Sequence, residues 1–397
     1  MEHTHIEKQL GVVFPVSIVE LFTSLLEHAI SIGASDIHID PRSEQVKVRM
    51  RVDGVLHDSF SLPKEVHLEI ISRIKVLSRL RTDEHATPQD GRFTFASRNT
   101  SADIRVSIAP TYFGENAVLR LLSNRMTGYT LETLGFSLDD REKIRTSAGK
   151  SSGLILCTGP TGAGKTTTLY SLLKLINTQE ISVVTIEDPI ECALENVEQI
   201  QVNPRAGLTF AQGLRSILRQ DPNVILVGEI RDAETAGIAV NMALTGHLVL
   251  STLHTPDAST ALIRLLDLKI ERFLVASTVS LIIGQRLVRR VCDSCRMEDK
   301  EAKEKLIDER SFDSEVRAER GSGCEACSHS GFKGRTVVSE TLLIDEKMRE
   351  VIQKNASAGS IRKTAIASGM KTILEDGLEK VLSGLTAYSE VMRVIHE

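Results

Sequence analysis

The stretch Leu154-Ile155-Leu156-Cys157-Thr158-Gly159-Pro160-Thr161-Gly162-Ala163-Gly164-Lys165-Thr166-Thr167 lies near the middle of this 397-residue chain. It begins as an apolar run, turns through three glycines and continues as a helical pattern over 166–176. The turn fits G-x-x-x-x-G-K-[ST] in the strand-to-helix setting that this motif requires. Backbone N–H groups of such a turn, together with the helix N-terminus, surround phosphate oxygens. The stretch therefore predicts an α/β domain that binds ATP or GTP.

The residues of this turn have distinct expected roles. Lys165 would bridge the β- and γ-phosphates, and the Thr166 hydroxyl would bind Mg²⁺. The other residues that we expect to contact the nucleotide are Gly159, Pro160, Thr161, Gly162, Ala163, Gly164 and Thr167. The alternative is an ordinary glycine-rich turn, and the strand and helix on either side argue against it.

Further apolar strands follow the turn, at 183–186, 224–227 and 248–253. They alternate with helical stretches at 210–219 and 233–244. Continuous apolar strands that alternate with helices indicate a parallel sheet covered on both faces. Ligands of such sheets bind at the carboxyl ends of the strands.

Acidic side chains follow two of these strands. Glu229 comes after 224–227, where a carboxylate would hold the Mg²⁺ shell through water or orient the attacking water. It could instead serve the N-terminus of the helix at 233–244. The segment Glu187-Asp188-Pro189-Ile190-Glu191 follows 183–186, and Pro189 prevents the strand from continuing. We expect one of its acids to work with the metal and the others to solvate the loop.

Two histidines flank the strand at 248–253. His247 and His254 are seven residues apart, so a straight strand would point them to opposite faces. Both cannot easily serve one site. We interpret His247 as structural and place His254, at the carboxyl end of the strand, where a sensor of the γ-phosphate belongs.

The first 122 residues predict a separate α/β unit. Helical patterns at 16–32 and 65–80 accompany two β-runs, 46–52 and 55–60, which Asp53-Gly54 joins as a hairpin. Further strands are expected at 93–95, 104–108 and 117–122, and the polar segment 123–135 reads as a linker.

Two arginines of this unit are candidates for binding an anion. Arg105 alternates with the apolar residues of 104–108 and is expected on the opposite face. Arg120 lies within an apolar run and needs an anionic partner. A phosphate would suit both, and so would carboxylates of the same chain.

Four of the six cysteines form two close pairs. Cys292-x-x-Cys295 and Cys324-x-x-Cys327 enclose residues 296–323 and would supply four thiolates to a tetrahedral Zn²⁺. The enclosed segment has little apolar content, so the metal must supply much of its folding free energy. Unrelated thiols and a redox dithiol are the alternatives, and the latter favours a thioredoxin-like setting. The tail from residue 345 is expected to be helical.

Composition excludes several classes of protein. The apolar fraction of 41% and charged fraction of 25% are typical of globular chains and exclude a mainly disordered one. No apolar run is long enough for a membrane span, and we expect no signal peptide because the first ten residues are polar. The net charge of −5 argues against a dedicated nucleic-acid binder.

Over nearly its whole length the chain resembles the secretion ATPases that power type II secretion and type IV pilus assembly (GspE/PilB-like). The motifs that carry the resemblance are Ala34-Ser35-Asp36-Ile37-His38-Ile39, Arg51-Val52-Asp53-Gly54, Gln89-Asp90-Gly91-Arg92, the phosphate loop, the aspartate box 187–191, the second nucleotide motif 228–232 and the histidine box 245–255.

The resemblance implies an α/β fold with a RecA-like P-loop core and a parallel sheet. A smaller PAS-like α/β domain would precede the core, a zinc-binding insertion would follow it, and the C-terminal part would be helical. The implied boundaries are 1–122, a linker at 123–135, the core at 136–290, the four-cysteine element at 291–334 and helices at 335–397.

The family also implies a mechanism and partners. Members form hexameric rings that hydrolyse ATP at protomer borders and pass motion to a membrane-embedded platform protein. The implied cofactors are ATP, Mg²⁺ and Zn²⁺, and the implied place is the cytoplasmic face of the inner membrane. The implied catalytic residues are Lys165, Glu191, Glu229, His254 and two arginines that reach the phosphates, Arg105 and Arg120.

One motif suggests a direction for the motor. A four-cysteine element is typical of assembly motors and generally absent from retraction motors, so the resemblance favours assembly. Family members often carry a further N-terminal docking domain, which we expect this chain to lack or to have lost by shortening.

Two other functions compete with the motor. One is a nucleic-acid translocase or recombinase on the same fold, which the small size of the basic cluster Arg286, Arg289 and Arg290 disfavours. The other is a scaffold that binds ATP but scarcely hydrolyses it, which Lys165, Glu229 and His254 disfavour.

Overall fold

The computed structural model describes residues 17–97, 100–122, 128–310, 316–354 and 357–396. The chain divides into two compact units, Met1–Asn124 and Arg125–Glu397. Each unit has its own hydrophobic core.

The first unit is an antiparallel sheet with two helices. Its elements are α1 (Ile18–Ser31), β1 (Ala34–Pro41), β2 (Gln45–Val52), β3 (Val55–Pro63), α2 (His67–Leu77), β4 (Gln89–Ser97), β5 (Thr100–Thr111) and β6 (Gly114–Leu122). The strand order is β3-β2-β1-β6-β5-β4. Apolar side chains of both helices pack with alternate strand residues into one core. The opposite sides of the strands carry polar and charged residues.

Local sequence explains how this unit forms. Asp53 and Gly54 both adopt positive φ, 49° and 87°, which is the backbone that a two-residue hairpin needs, and the predicted hairpin is confirmed. Ile104 and Ile108 are fully buried in β5, as their alternation predicts. Both predicted helices are present with slightly shorter bounds.

The second unit contains a seven-stranded sheet, in the order β15-β12-β7-β11-β10-β8-β9. Its strands are β7 (Gly153–Thr158), β8 (Val183–Glu187), β9 (Glu198–Gln201), β10 (Val224–Val227), β11 (Leu248–Leu253), β12 (Val279–Val291) and β15 (Phe332–Leu343). Each pair of neighbouring strands is parallel except the pair formed by β12 and β15, which is antiparallel.

Helices cover both faces of this sheet. They are α3 (Leu131–Leu134), α4 (Leu138–Ala148), α5 (Lys165–Ile176), α6 (Phe210–Ile217), α7 (Ala233–Leu244), α8 (Ala258–Asp267) and α9 (Arg272–Thr278). Successive residues of β7 alternate between two cores, because Leu154 and Leu156 join one and Ile155 and Cys157 join the other. The prediction of a parallel sheet buried on both faces is therefore confirmed.

The four-cysteine segment is inserted between β12 and β15. It contains β13 (Arg296–Glu298), α10 (Lys300–Arg310) and β14 (Glu319–Gly321), and β13 pairs with β14. The chain then ends in α11 (Glu346–Gln353), α12 (Ala358–Ala367), α13 (Ile373–Leu382) and α14 (Tyr388–His396).

Two details differ from expectation. Residues 335–343, expected among the C-terminal helices, form most of β15, because Thr336 to Leu342 are buried against β12. The expected linker 123–135 contains α3, which begins at a capping box between Thr130 and Thr133. Residues 123–127 lie outside the described residues. No helix in the described part of the chain has both the length and the apolar composition that crossing a bilayer requires.

Candidate active site

The phosphate loop connects β7 to α5 at the carboxyl edge of the parallel sheet. Gly159, Gly162 and Gly164 adopt φ of 146°, 82° and 84°, a backbone that favours glycine. A Cβ atom at Gly159 would lie 2.4 Å from the carbonyl oxygen of Gln285, so only glycine fits there. The loop therefore turns directly into the N-terminus of a helix, as the motif predicts.

Lys165 folds back onto its own loop. Its Nζ donates hydrogen bonds to the carbonyl oxygens of Gly159, at 2.8 Å, and Pro160, at 2.9 Å. Burial lowers the pKa of this ammonium group, and the nearby Glu229 carboxylate opposes the shift. An anion placed above the loop would offer this buried charge a stronger partner than two carbonyl groups.

Glu229 follows β10 at the same edge of the sheet. Only 12% of its side chain is exposed, and its Oε2 lies 2.6 Å from Arg231 Nε and 3.5 Å from His254 Nε2. The N-cap of α7 is Asp232, which accepts a hydrogen bond from the Thr235 N–H. Glu229 is therefore not the capping residue, the alternative that the sequence left open.

His254 lies at the carboxyl end of β11, beside Glu229. Burial, followed by the positive charge of Lys165, lowers the pKa of its imidazole below the ordinary value. The ring is therefore neutral at pH 7. His247 lies at the other end of β11, where its Nδ1 is 3.0 Å from the Met242 carbonyl oxygen. That contact agrees with a structural role for His247.

The acids after β8 have different environments. Glu187 is buried, and its oxygens accept hydrogen bonds from Tyr170, Thr185 and Gln199. Because these three donors take up its carboxylate oxygens, Glu187 has a structural role. Glu191 is half-buried four residues after the strand. It remains the candidate of this segment for work with a metal.

The candidate arginines of the first unit lie in one row across its sheet. Strand register places Arg92, Arg105 and Arg120 on adjacent strands, followed by Asp36 and then Arg51. Arg120 Nε donates to Asp36 Oδ1 at 3.0 Å, although 61% of the arginine side chain is exposed. Arg120 thus has a carboxylate partner. Like charges directly opposite on neighbouring strands repel, and an anion on this row would relieve the repulsion.

Some contacts that hold the site together give no signal in the sequence. Gln285 is fully buried in β12 and donates from Nε2 to the Ala163 carbonyl oxygen at 2.6 Å. Thr158, at the end of β7, and Thr255, at the end of the histidine box, are joined by a hydroxyl contact of 2.5 Å. An isolated glutamine in a strand carries no motif, and the pairing of the two threonines exists only in the folded chain, so these contacts are not predicted.

The four paired cysteines come together in space. Their sulfur atoms lie within 4.8 Å of one another, with Cys292–Cys324 and Cys295–Cys327 both at 3.9 Å. Four thiolates about 2.3 Å from a tetrahedral Zn²⁺ would be about 3.8 Å apart, so the arrangement fits that ion. The N–H groups of Cys324 and Gly331 donate to Cys327 Sγ.

These N–H donors matter for the charge on sulfur. Burial opposes ionisation of Cys327, but the two N–H donors and the neighbouring thiols of Cys324 and Cys295 outweigh it and lower the pKa of the thiol to about 6. Burial and the hydrogen bond with Cys327 raise the pKa of the Cys324 thiol to about 11. A thiolate is the form that binds metal, so the cluster would release protons as it binds a soft divalent cation.

Together these groups can bind a nucleoside triphosphate and activate a water. The loop supplies N–H donors and an ammonium group, and Glu229 lies beside it as a partly buried carboxylate with a neutral imidazole. This is the equipment for in-line displacement at a γ-phosphate.

Comparison with known proteins agrees with this chemistry. The family model described as "Type II/IV secretion system protein" matches residues 15–393. The type II secretion system ATPase E of Vibrio cholerae serotype O1 is 43% identical over 383 residues, which cover 96% of this chain and 76% of that protein. The type IV pilus assembly ATPase PilB of Thermus thermophilus is 45% identical over 362 residues, covering 90% of this chain and 41% of PilB.

Solved structures show the same fold. The pilus retraction motor PilT with bound ADP has a TM-score of 0.64 and 26% identity, and the match covers 94% of this chain and 96% of that one. The ATPase DotB of Legionella pneumophila has a TM-score of 0.70 and 24% identity, with 94% and 95% covered.

Proposed function

Because the chain belongs to the type II/IV secretion system protein family, we propose that it is the motor that powers assembly of pilin or pseudopilin subunits in a type II secretion or type IV pilus machine. The chain is a P-loop ATPase. The observation that carries the proposal is the 43% identity to ATPase E over 96% of this chain.

In the proposed reaction, Lys165 leaves the carbonyl groups of its own loop and binds the β- and γ-phosphates. Thr166 would hold Mg²⁺, which supplies positive charge at the phosphates when bound. Glu229 orients the attacking water, and Glu191 would hold the metal ion through its water ligands. His254, neutral and 3.5 Å from Glu229, contacts the γ-phosphate and reports its loss.

The proposed assembly is a homohexamer in which ATP is hydrolysed at protomer borders. Arg105 and Arg120 would reach the phosphates there and neutralise charge that develops in the transition state. The row of arginines on one side of the first unit's sheet supports an anionic ligand for this surface.

The remaining proposals concern the metal, the domains and the location. Cys292, Cys295, Cys324 and Cys327 would hold one structural Zn²⁺, which supports a distinct element inserted between β12 and β15 of the core. The partner would be an inner-membrane platform protein, with the ATPase bound peripherally at the cytoplasmic face. No nucleic-acid partner is proposed.

A retraction motor is the second candidate, because PilT has a similar structure at 26% identity. The four-cysteine cluster favours assembly, since the resemblance associates that element with assembly motors.

Deletion of the gene in its own host distinguishes the two directions. If the chain is an assembly motor, the deletion should abolish surface pili or secreted protein, and the wild-type gene but not Lys165→Ala should restore them. If it is a retraction motor, the deletion should leave excess surface filaments instead. ATPase activity of the purified chain, measured with and without DNA, should be independent of DNA, and strong stimulation would favour a translocase.

A further inference from the structure

The side-chain amide of Gln285 is held in one orientation under the phosphate loop. It is fully buried in β12, where its Oε1 accepts hydrogen bonds from Thr168 Oγ1, at 2.9 Å, and from Cys157 Sγ, at 3.2 Å. Its Nε2 donates to the Ala163 carbonyl oxygen at 2.6 Å. Thr168 Oγ1 and Cys157 Sγ can accept as well as donate, but a carbonyl oxygen can only accept. A flipped amide would therefore place Oε1 against the Ala163 carbonyl oxygen and lose the hydrogen bond between β12 and the loop.

The contact with Ala163 sets the direction of a backbone donor. The peptide bond is planar and trans, so the C=O of Ala163 and the N–H of Gly164 point in opposite directions. With the carbonyl group directed at Gln285, the Gly164 N–H points away from β12. A phosphate in the loop is bound by such N–H groups. If the carbonyl group turned away from β12, this N–H would turn with it and be lost to the ligand.

The loop also sits unusually close to Gln285. A Cβ atom at Gly159 would lie 2.4 Å from its backbone oxygen, and one at Gly164 would lie 3.3 Å from its Nε2. Gly159 and Gly164 must therefore be glycine for two reasons, the close approach of the loop to β12 and their positive φ. Gln285 thus lies against the loop with both its backbone and its side chain, beside Arg286 and Leu287.

We propose that Gln285 is a positioning residue for nucleotide binding, which turns the Ala163–Gly164 peptide so that the Gly164 N–H faces the phosphates. It touches no substrate. The proposal rests on nucleotide binding at the phosphate loop and is independent of the machine that the ATPase drives.

Replacement by an apolar residue of similar volume tests the role. In Gln285→Leu the peptide is free to rotate, and one hydrogen bond to a charged phosphate is weakened. We expect ADP to bind the full chain about tenfold to a hundredfold more weakly. The turnover number at saturating ATP should change much less, because hydrolysis is assigned to Glu229 and His254, and no hydrogen bond among the described residues joins either of them to Gln285.

A second variant separates positioning from mere loss of stability. Ser280→Ala removes another buried polar group of β12, whose Oγ lies 3.3 Å from the Leu154 carbonyl oxygen, at the end of the strand away from the loop. It should leave ADP affinity unchanged. Equal weakening in both variants, or unchanged affinity in a folded Gln285→Leu, would overturn the proposal.

The most specific test is Gln285→Glu, followed over pH. A buried carboxyl group has a raised pKa, and its protonated form can donate to the Ala163 carbonyl oxygen as the amide does. Its carboxylate form would repel that oxygen. The ADP affinity of the variant, relative to wild type at the same pH, should therefore recover as the pH falls from 8 to 6.

Other groups near this position also titrate or carry charge, namely Cys157, Lys165 and Arg286. They are present in both proteins, so the ratio to wild type removes their contribution. A ratio that does not change with pH contradicts the proposal. A wild-type chain that binds no ADP at any pH would instead refute the nucleotide site itself.

Discussion

At the scale of single residues, Glu229 is the group on which hydrolysis is proposed to depend. Its carboxylate is nearly buried, 2.6 Å from Arg231 and 3.5 Å from His254, so its charge is held in one place. Glu229→Gln keeps the shape and removes the charge. We expect ATP affinity within about threefold of wild type and a turnover number lower by about 10²–10⁴, the range for loss of a general acid or base.

A matched control lies on the following helix. Glu234 is exposed and pairs with Arg215 at 2.6 Å, so Glu234→Gln removes the same charge outside the site and should leave turnover intact. Single-turnover measurement on both variants checks the expectation. Near-normal turnover in Glu229→Gln would exclude the proposed role.

The carboxylate of Glu390 links α14 to β12 and makes the stability of the second unit depend on pH. Burial alone would raise its pKa, but hydrogen bonds from Arg289 and Arg393 outweigh burial and lower the pKa to about 2. The folded-state pKa is thus below the unfolded one. This interaction stabilises the fold above the unfolded value of about 4.5, and the contribution is lost as the pH falls towards 2.

Chemical denaturation between pH 6 and 2 measures this contribution. Other carboxylates titrate in the same range, so the informative quantity is the difference between wild type and Glu390→Gln. That difference should be largest at pH 6 and shrink as the pH falls. A difference independent of pH would show that Glu390 acts by packing alone.

At the scale of elements, local patterns predicted what local physics determines. The Asp53-Gly54 turn and the strands β7, β8, β10 and β11 follow from backbone preference and continuous apolar runs. β1 is recognised only as a motif, because its polar residues Asp36 and Asp40 are buried by ion pairs with other strands, and Arg120, the partner of Asp36, lies 84 residues away in sequence. Neither β12 nor β15 is predicted as a strand, because Gln285 and Arg286 interrupt the apolar run of β12, and β15 pairs with it only across the four-cysteine insertion.

The candidate site divides in the same way. The phosphate loop, Glu229 and His254 could be placed from the sequence, since each follows an apolar strand and parallel strands end at one edge. Glu187 could not be told apart from Glu191, because the difference depends on three donors from α5, β8 and β9. Such contacts exist only in the folded chain.

The four-cysteine element gives a prediction about folding. Ala302, Leu306 and Ala318 pack with Val288, Val338 and residues of the C-terminal helices, so its apolar contribution is small but present. We expect about one Zn²⁺ per chain. Cys292→Ser with Cys295→Ser should abolish zinc binding and increase amide exchange across 292–327, while ADP affinity stays nearly unchanged.

Elemental analysis and hydrogen exchange check both parts. Cys192→Ser is the control, since this cysteine is half-buried and outside the cluster. Freshly purified, unchelated protein without zinc would contradict the metal assignment. Unchanged exchange in the double variant would show that the apolar contacts alone hold the element.

At the scale of the whole molecule, the residues proposed to act on the phosphates come from both units. The phosphate loop belongs to the second unit, whereas Arg105 and Arg120 belong to the first. Arginine fingers raise the rate of other phosphoryl transfers by about 10³–10⁵-fold. Exposed ion pairs, in contrast, add little to the free energy of unfolding. Arg105→Gln and Arg120→Gln should therefore cut turnover steeply, with much smaller losses of ATP affinity and thermal stability.

Arg49→Gln is the matched control, because Arg49 lies in the same sheet and pairs with Asp40 at 2.6 Å, four residues along β1 from Asp36. It should lower thermal stability slightly and leave turnover per folded chain intact. Intact turnover in both of the other arginine variants would end the proposal that these side chains reach the phosphates.

Mixing two inactive variants tests whether the arginines act across a protomer border. Lys165→Ala lacks a working phosphate loop but keeps its arginines, and the double variant Arg105→Gln with Arg120→Gln keeps its phosphate loop. In a mixed ring, a border between an intact loop and intact arginines forms wherever the two kinds of subunit meet in the right order. If the site is shared between subunits, mixing therefore restores part of the ATPase activity of wild type, in an amount that depends on the mixing ratio. If each chain completes its own site, no mixture is more active than its components.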